Sequence, residues 1–149
     1  MKFKNGQMMI EVLFALSVVV LVLLALIAGT VISLKNVRFA KEMTLANHYA
    51  QQAMENVRAY RTRNGFEGLG SGGSCYSEIT PSAKSPINCT QWGDIPETSL
   101  KRRIMVEDEG GEGDKKKITA TIAWTDSDCS AGEYCHQAAV VSYFTQWSR

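Results

Sequence analysis

The apolar positions of this chain fall into two regimes. From Val12 to Leu34, 23 residues pass without a charge, enough for a helix rising about 1.5 Å per residue to cross a hydrocarbon core about 30 Å thick. Beyond Leu34 the pattern thins but does not stop. Phe39, Met43, Ala46, Ala50, Ala53, Val57 and Tyr60 recur at alternating steps of four and three, which places them on one stripe of a continuing helix. Lys35, Arg38, Lys41, Glu42, Gln51, Glu55 and Arg58 fill the other faces. No proline precedes Pro81, and Asn64-Gly65 supplies a C-terminal stop. One helix from about Ile10 to Arg63 is expected, roughly 80 Å long, lipid-soluble in its first half and amphipathic in its second. The alanines make the stripe narrow, which allows a packed layer to approach closely.

Residues 65–99 read as a loop, since they carry six glycines and all three prolines; a Cys75–Cys89 disulfide would staple it. Three strands are expected beyond. "LKRRIMVED" puts Leu100, Ile104 and Val106 on one face, with Arg102 interrupting the alternation. "KKKITATIAWTD" puts Ile118, Ala120, Ile122 and Trp124 on one face, opposite Thr119, Thr121 and Thr125. In "QAAVVSYFTQW", Val140 and Phe144 compete with Val141 and Tyr143 for the buried face. The connectors "EGGEG" and "SDCSAGEYC" suit hairpins, the second cinched by a Cys129–Cys135 disulfide. The expected fold is α+β: a long N-terminal helix packed on a small antiparallel sheet of about three strands, with a meander in residues 100–149 and sequential pairing.

Composition narrows the class. The chain has 149 residues, 16 basic and 15 acidic, for a net charge of +1, so no global field points to nucleic acid or an anionic surface. All four cysteines follow the apolar run. An even count in a small exported domain reads as two disulfides, whereas a zinc site of the usual kind needs tighter pairs such as Cys-x-x-Cys. Lys2 and Lys4 precede the run, so the positive-inside rule leaves the N-terminus in the cytoplasm and sends the rest outward.

No catalytic set emerges, and neither an enzymatic activity nor a cofactor or metal is expected. His48 sits on the helix and His136 in a hairpin, each placed as a surface residue. The glycines of "GLGSGG" neither follow a strand nor open a helix, so no phosphate cradle is formed. The acidic groups Glu107, Asp108, Glu109, Glu112 and Asp114, and Asp126, Asp128 and Glu133, miss the twelve-residue calcium-loop spacing and read as solvated turns. Lys101-Arg102-Arg103 and Lys115-Lys116-Lys117 fall on neighbouring antiparallel strands as a basic patch, diluted by acids, at a solvated edge.

One charge resists this account. Glu11 stands at the mouth of the apolar run, where an ionised carboxylate next to hydrocarbon is expensive. A secretory leader cut after Ala28 or a plain signal anchor would treat it as an accident.

From Lys4 to Leu16 the chain resembles the type IV prepilins: a short basic leader ending in Gly6, four residues, then Glu11, then an uninterrupted apolar helix. "QMMIEVLFAL" departs from the commoner "FTLIEVLVAL" at its first three positions and at Phe14. The resemblance implies that a dedicated membrane prepilin peptidase cuts after Gly6 and methylates Gln7, and that other pilins or pseudopilins pack against the helix. Glu11 would then pair with a neighbour's terminal amine and set register. "KKKITATIAWTD" and "VVSYFTQW", with Trp124 and Asp126, resemble the last strands of the minor pilin V family and of the minor pseudopilin I of type II secretion; residues 65–99 match nothing.

The expected organisation is a leader (residues 1–6), a transmembrane and assembly segment (7–34), an amphipathic segment (35–64), a stapled loop (65–99) and a sheet (100–149). The expected function is a minor pilin or pseudopilin of the inner membrane, its C-terminal domain periplasmic or extracellular, that joins a type IV pilus or secretion pseudopilus. A membrane-anchored or secreted binding domain, gripping a surface ligand with the stapled loop, is the alternative.

Overall fold

The computed structural model describes residues 5–70, 72–110, 114–126, 129–130 and 134–146. The chain divides into two units, Met1–Glu42 and Met43–Arg149. Helix α1 (Asn5–Asn64) runs through the first and into the second. It starts about five residues before the expected boundary, taking in Gly6. It ends where the glycine dictates. Gly65 has φ +77° and its N–H reaches Arg61 O at 2.8 Å, so the glycine takes the left-handed position that closes the last turn.

Among the described residues of the first unit the helix has no buried face. Every large apolar side chain from Met9 to Phe39 is exposed, between 43% and 73%. The helix is long and apolar enough to cross a membrane. Two of its hydroxyls are satisfied internally, Ser17 Oγ donating to Phe14 O at 2.7 Å and Thr30 Oγ1 to Ile27 O at 2.8 Å, so neither of these presents an unpaired donor to lipid.

The second unit is α+β: the C-terminal part of α1 packs on an antiparallel sheet. The sheet has six strands, three more than the sequence suggests: β1 (Ser74–Ile79), β2 (Lys84–Ile87), β3 (Gly93–Asp94), β4 (Lys101–Asp108), β5 (Lys115–Trp124) and β6 (His136–Thr145). The order is β2-β1-β4-β5-β6, with β3 also paired to β4. The sequential meander holds for β4, β5 and β6, while β1 inserts beside β4 from the segment expected to be loop. Those extra strands are six residues or fewer, so their pairing comes from their neighbours, β4 for β1 and β3 and β1 for β2, rather than from a pattern of their own. Three residues of β1 meet β4, Tyr76 opposite Ile104 among them. A register shift between Tyr76 and Glu78 turns both Tyr76 and Ile79 inward.

Register decides which residues form the core. Across β4, β5 and β6 the even-numbered positions share one face: Ile104 opposes Ala120, which opposes Val140, and Arg102 opposes Ile122, which opposes Ala138. Ile118, Ala120, Ile122 and Trp124 are buried as their alternation predicts. The same ladder resolves β6, where Ala138 and Phe144 are buried while Val141 and Tyr143 are about half exposed. Two apolar clusters result. One joins Ala53, Met54, Val57 and Tyr60 of α1 to Leu69, Ile104, Val106, Ile118 and Phe144. The other joins Ala46 and Ala50 to Ile95, Leu100, Ile122, Trp124 and Ala138. The helical stripe is thus buried from Ala46 to Tyr60, whereas Phe39 and Met43 remain 43% and 37% exposed.

Candidate functional site

The residues expected to carry processing and assembly lie in the first unit. The Gly6–Gln7 bond falls in the first turn of α1. Gln7 and Glu11 are four positions apart in that helix. Glu11 is exposed, at the N-terminal edge of the charge-free run that begins at Val12. Glu11 lies beyond the first turn of α1, where the helix dipole gives a carboxylate little support, and a hydrocarbon setting would give it no water. Lys2 and Lys4 lie outside the described residues. The side chain of Lys35, the first charge after the run, is exposed.

Both expected disulfides are present, Cys75–Cys89 and Cys129–Cys135. Cys75 is buried on β1, opposite Met105 of β4, so the first bridge ties the segment after β2 to a strand inside the sheet. Arg103 strengthens the tie, its Nη1 donating to Cys89 O at 2.6 Å while its guanidinium lies 4.2 Å from the centre of the Trp92 ring.

The expected basic patch is not formed. In an antiparallel hairpin the start of one strand faces the end of the next, and Lys101 accordingly opposes Ala123 while Lys116 opposes Asp108. Arg102 and Asp108, six positions apart on β4, stand about 20 Å from each other, which separates the two basic triplets. They are not at an edge either, since β4 and β5 are interior strands. All of these cations but Arg103 are instead paired with an acid where they stand, Lys115 with Glu109 at 3.8 Å among them. Lys101 pairs with Asp94, Arg102 with Glu78 at 3.1 Å, Lys116 with Asp108 at 2.7 Å and Lys117 with Glu107 at 3.1 Å. Hydrogen bonding to Asp94 and to Glu107 raises the Lys101 and Lys117 ammonium groups above the ordinary lysine value. The Lys116 hydrogen bond, helped by the Gly72 N–H, holds Asp108 below the usual carboxylate range.

A second cluster forms at the β5–β6 turn, from residues the sequence reading treated separately. Asp126, Cys129, Cys135 and His136 each bring one nitrogen, oxygen or sulfur atom into a group no wider than 4.8 Å. His136 is not a free surface residue. It opposes Trp124 across the β5–β6 ladder and stacks on its indole, with ring centres 5.6 Å apart and planes at 29°. Its Nε2 lies 2.7 Å from Asp126 Oδ2. The Asp126 N–H points to Cys129 Sγ at 3.2 Å. The legible signal was the spacing Asp-x2-Cys-x5-Cys-His, which becomes a cluster only once the strands fix its two ends. Asp128 and Glu133 lie outside the described residues, as does Glu112 of the other acidic turn.

A groove of about 510 Å³ beside the end of α1 is lined by Arg58, Arg61, Phe66, Phe144 and their neighbours. Its arginines are engaged in structure, Arg58 with Glu55 at 2.5 Å and Arg61 with Thr145 O at 2.6 Å. Among the described residues the groove offers no nucleophile beside a general base. The chain matches no family model, no curated protein and no solved structure.

Proposed function

We propose that this chain is a minor pilin or pseudopilin: a structural subunit that inserts in an inner membrane with its N-terminus cytoplasmic, is cut after Gly6, and joins a type IV pilus or a type II secretion pseudopilus. One observation carries the reading. A single helix holds, in order, Gly6-Gln7, an acid one turn beyond, a charge-free run exposed all round, and a stripe buried on a disulfide-bearing domain. An exposed apolar segment of this length requires lipid or other apolar helices around it.

Hydrolysis of the Gly6–Gln7 bond leaves a protonated amine at Gln7. In a bundle of such helices a buried carboxylate is tolerable only with a partner, and the terminal amine of a neighbouring subunit supplies one for Glu11. The acid then acts as a register device, satisfied when subunits assemble. The sheet domain stays on the outer side of the membrane, where disulfides persist.

The test is the intact mass and N-terminal peptide of protein extracted from its native membrane. A terminus at Gln7, with or without a methyl group, is expected; one at Met1 would leave a plain anchor, and one at Gly29 a secreted domain. Glu11→Ala should leave insertion unchanged and impair incorporation into the filament. Normal co-assembly of that variant would remove Glu11 from the mechanism.

A further inference from the structure

The β5–β6 turn carries more chemistry than a staple requires. Its four candidate donors are two sulfurs, one imidazole and one carboxylate, the set that suits zinc. In tetrahedral zinc sites, with bonds of about 2.0–2.3 Å, neighbouring donor atoms stand roughly 3.3–3.8 Å apart. Here all four lie within 4.8 Å of one another, with Asp126 Oδ1 3.4 Å and Asp126 N 3.2 Å from Cys129 Sγ. The sulfur–sulfur bond and the Asp126–His136 contact, 2.7 Å between Oδ2 and Nε2, are what must open for a metal to enter.

Three features indicate that the arrangement is built. The backbone N–H of Asp126 points at Cys129 Sγ, a donor that would favour the thiolate over the thiol. The His136 ring is oriented by stacking on Trp124, which is only 1% exposed. The ladder pairing of Trp124 with His136 closes the turn behind the cluster. Cys135 is exposed and Cys129 half-buried, so a reductant can reach the bridge. By contrast, Cys75 of the other disulfide is buried, 3% exposed.

We propose that the turn is a redox-gated zinc site: when a thiol reductant opens Cys129–Cys135, Asp126, Cys129, Cys135 and His136 together hold one Zn²⁺. The step balances. A dithiol gives two electrons and two protons to the disulfide, becoming a disulfide itself and leaving two cysteine thiols. Zinc then binds as the two thiol protons pass to solvent. A disulfide oxidant takes two electrons from the two thiolates and two protons from solvent, becoming a dithiol, which re-forms the Cys129–Cys135 bond and releases the ion. The same turn is thus closed by metal under reducing conditions and by the disulfide under oxidising ones.

Full-length protein in detergent, reduced with a phosphine and kept anaerobic, is titrated with Co²⁺ as a spectroscopic stand-in for Zn²⁺. One equivalent should give thiolate-to-cobalt charge-transfer absorption and the d–d bands of a tetrahedral site. The bands should survive Cys75→Ser with Cys89→Ser and vanish with Cys129→Ser and Cys135→Ser. Their absence from the reduced natural chain, or their persistence without Cys129 and Cys135, would overturn the proposal. A readout free of variants is alkylation of the reduced natural chain with and without Zn²⁺: the ion should slow labelling of Cys129 and Cys135 and leave that of half-buried Cys89 unchanged, and unslowed labelling of Cys129 and Cys135 overturns the proposal. His136→Asn should weaken Zn²⁺ binding by more than the roughly 10–100-fold lost with an outer-shell partner. A smaller loss would contradict the four-ligand set.

Discussion

Lys116 brings its ammonium 2.7 Å from Asp108 Oδ1 although its side chain is 7% exposed and that of Asp108 is 37% exposed. The ammonium also donates to Gly70 O at 2.7 Å and lies 5.2 Å from the centre of the Phe66 ring. Asp108 in turn accepts from the Gly72 N–H at 2.7 Å. One buried cation on β5 therefore ties the segment after α1 to the β4–β5 hairpin.

The asymmetry of that pair predicts an order of damage. Asp108→Ala leaves a buried ammonium without its counter-charge, whereas Lys116→Met removes the charge and leaves behind a carboxylate that water can reach. Thermal unfolding of the full chain in detergent should show a larger fall in Tm for Asp108→Ala than for Lys116→Met. The reverse order would mean that packing of the lysine stem outweighs its charge.

The same pair sets part of the acid limb of stability. The folded-state value of Asp108 is depressed below its unfolded value of about 3.9, so its contribution is present above about pH 4 and lost as pH falls through the depressed value. Lys101 and Lys117 are raised, so theirs is present below about pH 10.4 and lost as pH rises beyond it. Asp108→Asn should flatten unfolding midpoints below about pH 4 and leave the alkaline limb unchanged. An unaltered acid limb would remove Asp108 from it.

Close approach makes two small residues sensitive. Ala50 is fully buried in the cluster with Ile122 and Trp124, so Ala50→Leu should cost about 1–3 kcal/mol by overpacking. At Gly93 an added methyl would collide with Cβ and Cα of Ser77 on β1, atoms that cannot move without the strand. Gly93→Ala should therefore lower the urea midpoint at unchanged m-value, and a neutral outcome would show that β3 is dispensable.

The two disulfides should differ in weight. Cys75 and Cys89 are 14 residues apart and Cys129 and Cys135 are 6 apart, which on loop entropy alone gives about 3 and about 2 kcal/mol. Paired serine substitutions compared by urea unfolding should follow that order. Equal losses would indicate that the short bridge also fixes the turn enthalpically.

Arg102 offers a last check. It is 5% exposed on the apolar face of β4, with Nε donating to Ser77 O at 2.7 Å and the guanidinium paired to Glu78. Arg102→Ala should cost about 1.5–3 kcal/mol, the range for hydrogen bonds to charged groups. A loss near zero would mean that water replaces both contacts.

The sequence by itself determined the elements whose periodicity is long and local: the apolar run, the stripe from Ala46 to Tyr60, the glycine stop at Gly65 and the inward face of β5. It also allowed both disulfides, because each joins cysteines near one another in the chain. Tertiary structure decided what depends on register between distant segments. It drew β1 beside β4 out of apparent loop, sent Lys116 and the Lys101-Arg102-Arg103 triplet to opposite ends of one hairpin, chose Phe144 over Tyr143 for the core, and gathered Asp126, Cys129, Cys135 and His136 at one turn. A helix repeats every 3.6 residues along its own chain, so its pattern is written in one segment. A sheet contact is a relation between two segments, and neither one carries it alone.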